Sequence, residues 1–165
     1  MNEQSWLTCE DPATMLAAFG LDMPETLFGI PVVLPLPKPS QRKLRLFFCA
    51  VCRGYWPQLA DERSRRAVEV AEVLADGHDA ALLKHTAEEE AFTACGMSDS
   101  LLPHVAHLAL ANPILLAQRY SSFLGTQSRH AALLREVIGN PFAPVKFDPA
   151  MPNWCEIAGL AEAAY

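Results

Sequence analysis

Apolar residues recur every three or four positions along most of the chain, the spacing that places them on one face of an α-helix. The clearest case starts at Ser40 and ends near Trp56, where leucine, phenylalanine and valine share one face and arginines lie away from it. The same period predicts further helices at 12–20, 61–77, 79–95, 103–111, 113–124, 128–139 and 154–165. Gly125 either separates the helices predicted at 113–124 and 128–139 or lies within one longer helix that joins them.

Residues that begin and end helices stand at the boundaries of these segments. Asp, Ser and Asn side chains accept hydrogen bonds from the free N–H groups of a first turn, and glycine readily takes the left-handed conformation that ends a helix. The sequence predicts N-caps at Asp11, Ser40, Asp61 and Asn112, and helix ends at Gly20, Gly77 and Gly139. These boundary residues therefore agree with the hydrophobic period.

The helical period stops in the proline-dense stretch 22–39. Proline lacks a backbone N–H and holds the residue before it in extended geometry, so we predict an extended or polyproline-like surface loop or arm. Such an arm can dock on a partner protein. The alternative is that its side chains fold back over the protein's own core. The candidate partner-binding residues are Leu27, Phe28, Val32, Val33 and Leu34, of which only Val32 to Leu34 suggest a strand.

The predicted fold class is all-α, a single irregular bundle of six to eight helices with a proline-rich arm. At 165 residues the chain is long enough for one hydrophobic core, and we treat residues 1–165 as one helical domain. Hydrophobic residues make up 51% of the chain and charged residues 19%, which excludes a chain that is disordered throughout.

Charge and apolar runs exclude two classes of partner. The net charge of -6 opposes binding to nucleic acid or to an anionic membrane, since both attract a basic surface. The apolar run at 29–37 is too short to span a bilayer and is broken by prolines, and the N-terminus shows no secretory signal. We therefore expect a cytoplasmic protein whose partner is another protein.

Five cysteines are spread through the chain, and Cys49 and Cys52 stand in a Cys-x-x-Cys spacing. A redox pair of this kind sits at a helix N-terminus that follows a strand, whereas Cys49 and Cys52 lie about two turns inside a predicted helix. A zinc ribbon needs a second such pair, and the sequence has none. We therefore predict reduced thiols that fill the core.

Histidine and glutamate spacings allow one metal site. His85 and Glu89 share one side of a predicted helix at i and i+4, and His104 and His107 share one side of another at i and i+3. If the two helices pack side by side, these four residues can bind zinc or iron. The alternative is that each spacing occurs by chance and that the glutamates at 88–90 form a solvated face.

No motif indicates a catalytic mechanism or a cofactor. The chain lacks a Gly-x-Ser-x-Gly elbow, a phosphate-binding glycine loop and a His-Glu-x-x-His motif. The arginines at 63–66 are balanced by acidic residues, with Glu62 and Arg66 spaced for an ion pair on a solvated helix face. The sequence favours a non-enzymatic helical interaction or adaptor module. The alternative is a metal-binding helical protein or enzyme with its site between helices.

Four stretches of the chain carry distinctive motifs: WLTCEDP (6–12), RKLRLFFCAVCRGYW (42–56), DERSRRAVEVAEVLADG (61–77) and LLREVIGNPFAPVKFDP (133–149). Together they resemble a paralogue-rich family of uncharacterised planctomycete bacterial proteins, whose members carry Trp-Leu-x-Cys-x-Asp-Pro, Arg-Lys-Leu-Arg-Leu-Phe, Asp-Glu-Arg-Ser-Arg and Gly-Asn-Pro-Phe motifs. The resemblance covers somewhat under half of the chain and implies no activity, cofactor or site residue. The chain departs from the family in its longer proline-dense segment, its less alanine-rich middle helices, and in stopping at Tyr165, where many relatives continue.

Overall fold

The computed structural model of the protein describes residues 1–21, 26–27, 30–31, 36, 38–78, 81–120 and 128–143. Over these ranges the helices are α1 (Glu3–Thr8), α2 (Pro12–Ala17), α3 (Gln41–Gly54), α4 (Glu62–Ala75), α5 (Ala81–Cys95), α6 (Leu102–Ala111), α7 (Pro113–Gln118) and α8 (Ser128–Ile138). Two strands of two residues each, β1 (Thr26–Leu27) and β2 (Ile30–Pro31), pair antiparallel. The all-α fold class predicted from the sequence is confirmed.

The predicted caps form as the local sequence requires. The side chain of Ser40 accepts a hydrogen bond from the backbone N–H of Lys43, and those of Asp11, Asp61 and Asn112 do the same for the first turns of α2, α4 and α7. Gly77 and Gly139 follow α4 and α8 with φ angles of 80° and 81°, which side chains with a Cβ rarely adopt. For α2 to α6 and α8 the predicted boundaries agree with the observed ones to within three residues, because capping depends on near neighbours in sequence. Helix α7 ends at Gln118, whereas the prediction extends to residue 124.

Helix α1 is an element that the hydrophobic period does not predict, since six residues hold too few apolar positions to show one. Asn2 and Ser5 cap it reciprocally, each side chain accepting a hydrogen bond from the other's backbone N–H. The side chain of Trp6 is fully buried, and Arg135 on α8 donates to the carbonyls of Trp6 and Cys9 over 3.2 and 2.7 Å. Contacts with α8 therefore hold this short helix in place.

Helix α3 lies at the centre of the bundle and packs against α4, α6, α7 and α8. The face predicted from its sequence is the buried one, with Leu44, Phe47, Phe48 and Val51 at 1% exposure or less. Its hydrophilic first turn is also structural. Arg42 Nε donates to the carbonyl of Ala75 at the end of α4, and Lys43 Nζ donates to that of Ile138 at the end of α8. A cation at a helix C-terminus satisfies free carbonyls and complements the helix dipole.

Helices α4, α5 and α6 pack against one another beside α3. The buried residues on these helices are largely alanines, whose small side chains let helix axes approach closely. They are Ala67, Ala71 and Ala75 on α4, Ala87, Ala91 and Ala94 on α5, and Ala106 and Ala109 on α6.

One predicted ion pair on α4 is wrong. Glu62 pairs with Arg65 instead of Arg66, at 2.9 Å between Oε1 and Nη1. The reason is that Arg65 Nε also donates to the carbonyl of Leu59, which holds the guanidinium beside Glu62. The side chain of Arg66 reaches across to α5 and lies 4.0 Å from Glu90.

The proline-dense arm is described at only a few positions. Leu36 is buried in the core at 5% exposure, so the arm packs against the bundle at that residue. The side chains of the predicted partner-binding residues Leu27, Phe28, Val32, Val33 and Leu34 lie outside the described part of the chain, as do Gly125 and the predicted helix at 154–165. Within the described ranges, no helix has both the length and the apolar character needed to cross a bilayer.

Candidate docking surface on helix α5

Helix α5 buries its small residues and exposes its large ones. Leu82, Leu83 and Phe92 are 84%, 49% and 68% exposed, although each could fill a core position. A surface helix normally turns its large apolar side chains inward. The residues that α5 turns toward α4 and α6 are instead Ala87, Ala91, Ala94 and Cys95.

The exposed residues of α5 form a continuous stripe. Leu82, His85, Glu89 and Phe92 are spaced at i, i+3, i+7 and i+10, which places them on one side of the helix, and all four are exposed. We call these four residues the α5 outer face. From Leu82 to Phe92 the stripe is about 15 Å long, at 1.5 Å for each residue.

A groove runs between this face and helix α6. It has a volume of about 390 Å³ and is lined by His85, Glu88, Glu89, Phe92 and His107. The Phe92 and His107 rings lie 5.6 Å apart between centroids and are tilted by 58°. We call it the α5–α6 groove. The aromatic rings of Phe92 and His107 line this groove, as do the carboxylates of Glu88 and Glu89 on α5.

The groove carries an acidic charge that the described part of the chain does not neutralise with a lysine or arginine. Neither Glu88 nor Glu89 lies within ion-pair distance of such a side chain there. Glu89 Oε2 lies 3.5 Å from His85 Nδ1. Burial lowers the pKa of His107, against the opposing effect of Glu88, and nearby His104 lowers it further. His107 is therefore neutral near pH 7 and leaves the glutamates as the charged groups of the groove.

The predicted metal site does not assemble. His85, Glu89 and His107 line the same groove, but His104 is not among the residues lining it. Across the described residues, which include all four candidates, no three His, Cys, Asp or Glu side chains are grouped so that they could hold a metal ion. The sequence pattern correctly indicated that residues of α5 and α6 lie close together. The described side chains there are not grouped as metal ligands.

Cys49 and Cys52 are core residues, as predicted. They are 2% and 1% exposed, and the Cys49 thiol faces the carbonyl of Val68 at 3.8 Å. Burial raises the pKa of both thiols, that of Cys52 to about 12, and Glu72 adds to the effect at each. A thiol that stays protonated is a poor nucleophile, so neither thiol is activated for nucleophilic attack near neutral pH.

A second cavity, of about 360 Å³, lies between α2 and α7. Its polar side chains already have partners: the Thr14 hydroxyl donates to Asp11, and the Gln118 amide donates to the carbonyl of Leu21. A ligand site needs polar groups that converge on the bound molecule. These groups point to neighbouring protein atoms instead, so the α5–α6 groove is the stronger candidate.

Comparison with known proteins adds nothing to this geometry: no protein-family model, no curated protein and no solved structure matches the chain. The exposed residues of α5 are therefore the basis of the functional proposal.

Phe92 and Leu82 are the functional candidates that sequence reasoning missed. Their signal is present on the helical wheel of α5, where an arc of alanines and an arc that contains leucine and phenylalanine lie on opposite sides. A wheel with two apolar arcs does not show which arc faces the core. The structure shows that the alanine arc faces inward.

Proposed function

We propose that this protein is a non-enzymatic helical interaction module that binds another protein through the α5 outer face and the α5–α6 groove. The observation that carries the proposal is the inversion of α5, which keeps Phe92 68% exposed while Ala91 beside it is fully buried. Large apolar side chains left exposed on one side of a helix are typical of a surface that is covered in a complex.

The energetic argument concerns the residues that a partner would cover. Moving one leucine or phenylalanine side chain from water into an apolar interface contributes about 1.5–3 kcal/mol. Leu82 and Phe92 can supply two such anchors, and a few buried anchors account for most of the energy of a protein interface. The turn after α5 adds Met97 and Leu101, at 74% and 47% exposure.

The metal-binding alternative lacks an assembled ligand set among the described residues. The proline-dense arm stays a predicted second contact region.

The experiment that tests the proposal compares three tagged proteins in parallel affinity captures from a lysate of the source organism. They are the unmodified chain, Phe92→Asp, and Leu7→Asp as the matched control. Leu7 is 49% exposed on α1, so it receives the same charge at another exposed apolar site on a different helix. Circular dichroism and thermal melting of each variant confirm that the fold is kept.

We expect a stoichiometric partner with the unmodified chain and with Leu7→Asp, and its loss with Phe92→Asp, as mass spectrometry will show. A partner retained equally by both variants would place the binding surface elsewhere and remove α5 from the proposal.

A further inference from the structure

We propose that the α5–α6 groove recognises a short basic amphipathic helix of the partner protein. The inference rests on the function proposed above and names the chemistry of the partner: leucine-like anchors on one side of a helix, flanked by lysine or arginine.

The shape of the groove favours a helix over an extended strand. Both walls are α-helices whose backbone groups are already hydrogen-bonded within each helix, so the groove offers no strand edge to extend. A helix laid along the α5 outer face can instead place apolar residues at i and at i+10 or i+11, about 15 Å apart, against Leu82 and Phe92. The stripe of about 15 Å matches about 11 residues, or three turns, of a partner helix.

The charge of the groove favours a basic sequence on that helix. Glu88 and Glu89 line it directly, and α5 itself carries one cation, Lys84. Glu90 does not line the groove and lies beside Arg66 of α4. Carboxylates beside an apolar stripe select partners whose own charges are positive, because like charges brought together across an interface weaken binding.

The same charges argue against a second copy of this chain as the occupant. In a two-fold dimer the same patch lies on both sides, so Glu88 and Glu89 of one copy would meet those of the other. The net charge of -6 adds repulsion between two whole chains. The basic first turn of α3 is not available in trans either, since Arg42 and Lys43 bond to the ends of α4 and α8.

The test is a display selection with a peptide library. Each peptide has about 11 residues, a fixed helical pattern of leucines, and flanking positions randomised among Lys, Gln and Glu. The full-length protein is the target, and peptides that also bind Phe92→Asp are removed by counter-selection. We expect the surviving peptides to carry Lys at the flanking positions, and Lys-rich peptides to bind about tenfold more tightly than their Glu-substituted counterparts.

Two double variants, each losing two negative charges, show whether the preference for basic peptides comes from the carboxylates of the α5–α6 groove. Glu88→Gln/Glu89→Gln should weaken the selected peptides several-fold and flatten the salt dependence of binding. Glu10→Gln/Glu136→Gln removes two exposed carboxylates away from α5 and should leave the affinity unchanged. Equal losses with both variants would show non-specific charge attraction and overturn the inference.

The outcomes separate this inference from the proposed function. If the captured partner depends on Phe92 but the library yields Glu-rich or uncharged peptides, the interaction module stands and the basic helix is overturned. If the captured partner does not depend on Phe92 and no peptide survives the counter-selection against Phe92→Asp, both proposals fall. A concentration-dependent dimer in sedimentation analysis that Phe92→Asp abolishes would identify a second copy as the occupant and overturn the inference as well.

Discussion

The hydroxyl of Tyr120 lies 2.5 Å from Nδ1 of His130, and both side chains are buried, at 1% and 2% exposure. The two groups share one hydrogen bond, whose direction depends on the imidazole tautomer: the hydroxyl donates to a bare Nδ1 or accepts from a protonated one. Among the described residues, Nε2 has no hydrogen-bond partner. Burial and, to a smaller extent, the charge of neighbouring Arg129 together lower the pKa of His130 to about 4. The fold therefore requires the neutral imidazole.

This pair makes stability sensitive to acid. Below its ordinary pKa of 6.5, His130 takes up a proton in the unfolded chain but not in the folded chain until about pH 4. The free energy of unfolding therefore falls as the pH drops through this window, by up to roughly 3 kcal/mol from His130 alone. Above the window the contribution is constant.

Urea unfolding at about pH 7.5 and pH 4.5 measures this loss. His130→Asn keeps an acceptor near the Tyr120 hydroxyl and does not titrate, so its loss between the two pH values should be smaller than that of the unmodified chain. His78→Asn changes an exposed histidine and should behave like the unmodified chain. The same loss in all three proteins would refute a role for His130.

The buried alanines of α5 predict that substitutions on its buried and exposed sides change the free energy of unfolding by very different amounts. Ala91→Leu inserts a larger side chain between closely packed helices and should lower the free energy of unfolding by about 1–3 kcal/mol. Phe92→Ala, one residue further, removes an exposed ring and should change it by less than about 0.5 kcal/mol. Thermal and urea unfolding check both. A Phe92→Ala loss as large as that of Ala91→Leu would mean that the outer face is packed within the monomer.

Arg135 should govern the docking of α1. Arg135→Ala removes the hydrogen bonds to the carbonyls of Trp6 and Cys9, and bonds from a charged donor contribute about 1.5–3 kcal/mol. Hydrogen exchange at the amides of α1 should accelerate accordingly. Arg129→Ala is the control, since Arg129 is exposed and stacks over Tyr55 at 4.1 Å. Equal acceleration by both variants would contradict a specific role for Arg135.

Thiol reactivity should follow burial. Cys9 is half-buried, whereas Cys49 and Cys52 are buried with raised thiol pKa values. Iodoacetamide near pH 8 should therefore modify Cys9 before Cys49 and Cys52, and should modify those two only after urea is added. Peptide mapping by mass spectrometry follows each site. Rapid native labelling at Cys52 would show that the core opens readily around α3.

Much of the fold could be predicted because its signals are local. Ser40, Asp61 and Gly77 act on backbone groups within four residues of themselves, so their effect is visible in a short stretch of sequence. The buried face of α3 was equally predictable, because its large residues fall in one arc. Helix α1 was not, since much of its stability comes from Arg135, more than one hundred residues away.

The candidate site was predictable only in part. The spacing of His85 and Glu89 correctly placed both on one side of α5, and His107 does face them across the groove. Whether these side chains assemble into a metal site depends on interhelical geometry, which no local pattern encodes. His104, three residues before His107, shows the limit: it shares that side of α6 in sequence and does not line the groove.

Most of the helices, their caps and the all-α class follow from local sequence, because these depend on backbone hydrogen bonding and on side chains a few residues apart. Which arc of α5 faces outward depends instead on how α4, α5 and α6 pack together. The alanine arc can approach α4 and α6 closely, and their own buried alanines match it, so a close fit is reached only with Leu82 and Phe92 left outside. The joint packing of α4, α5 and α6 therefore determines which arc is exposed. It exposes the surface on which the proposed function rests.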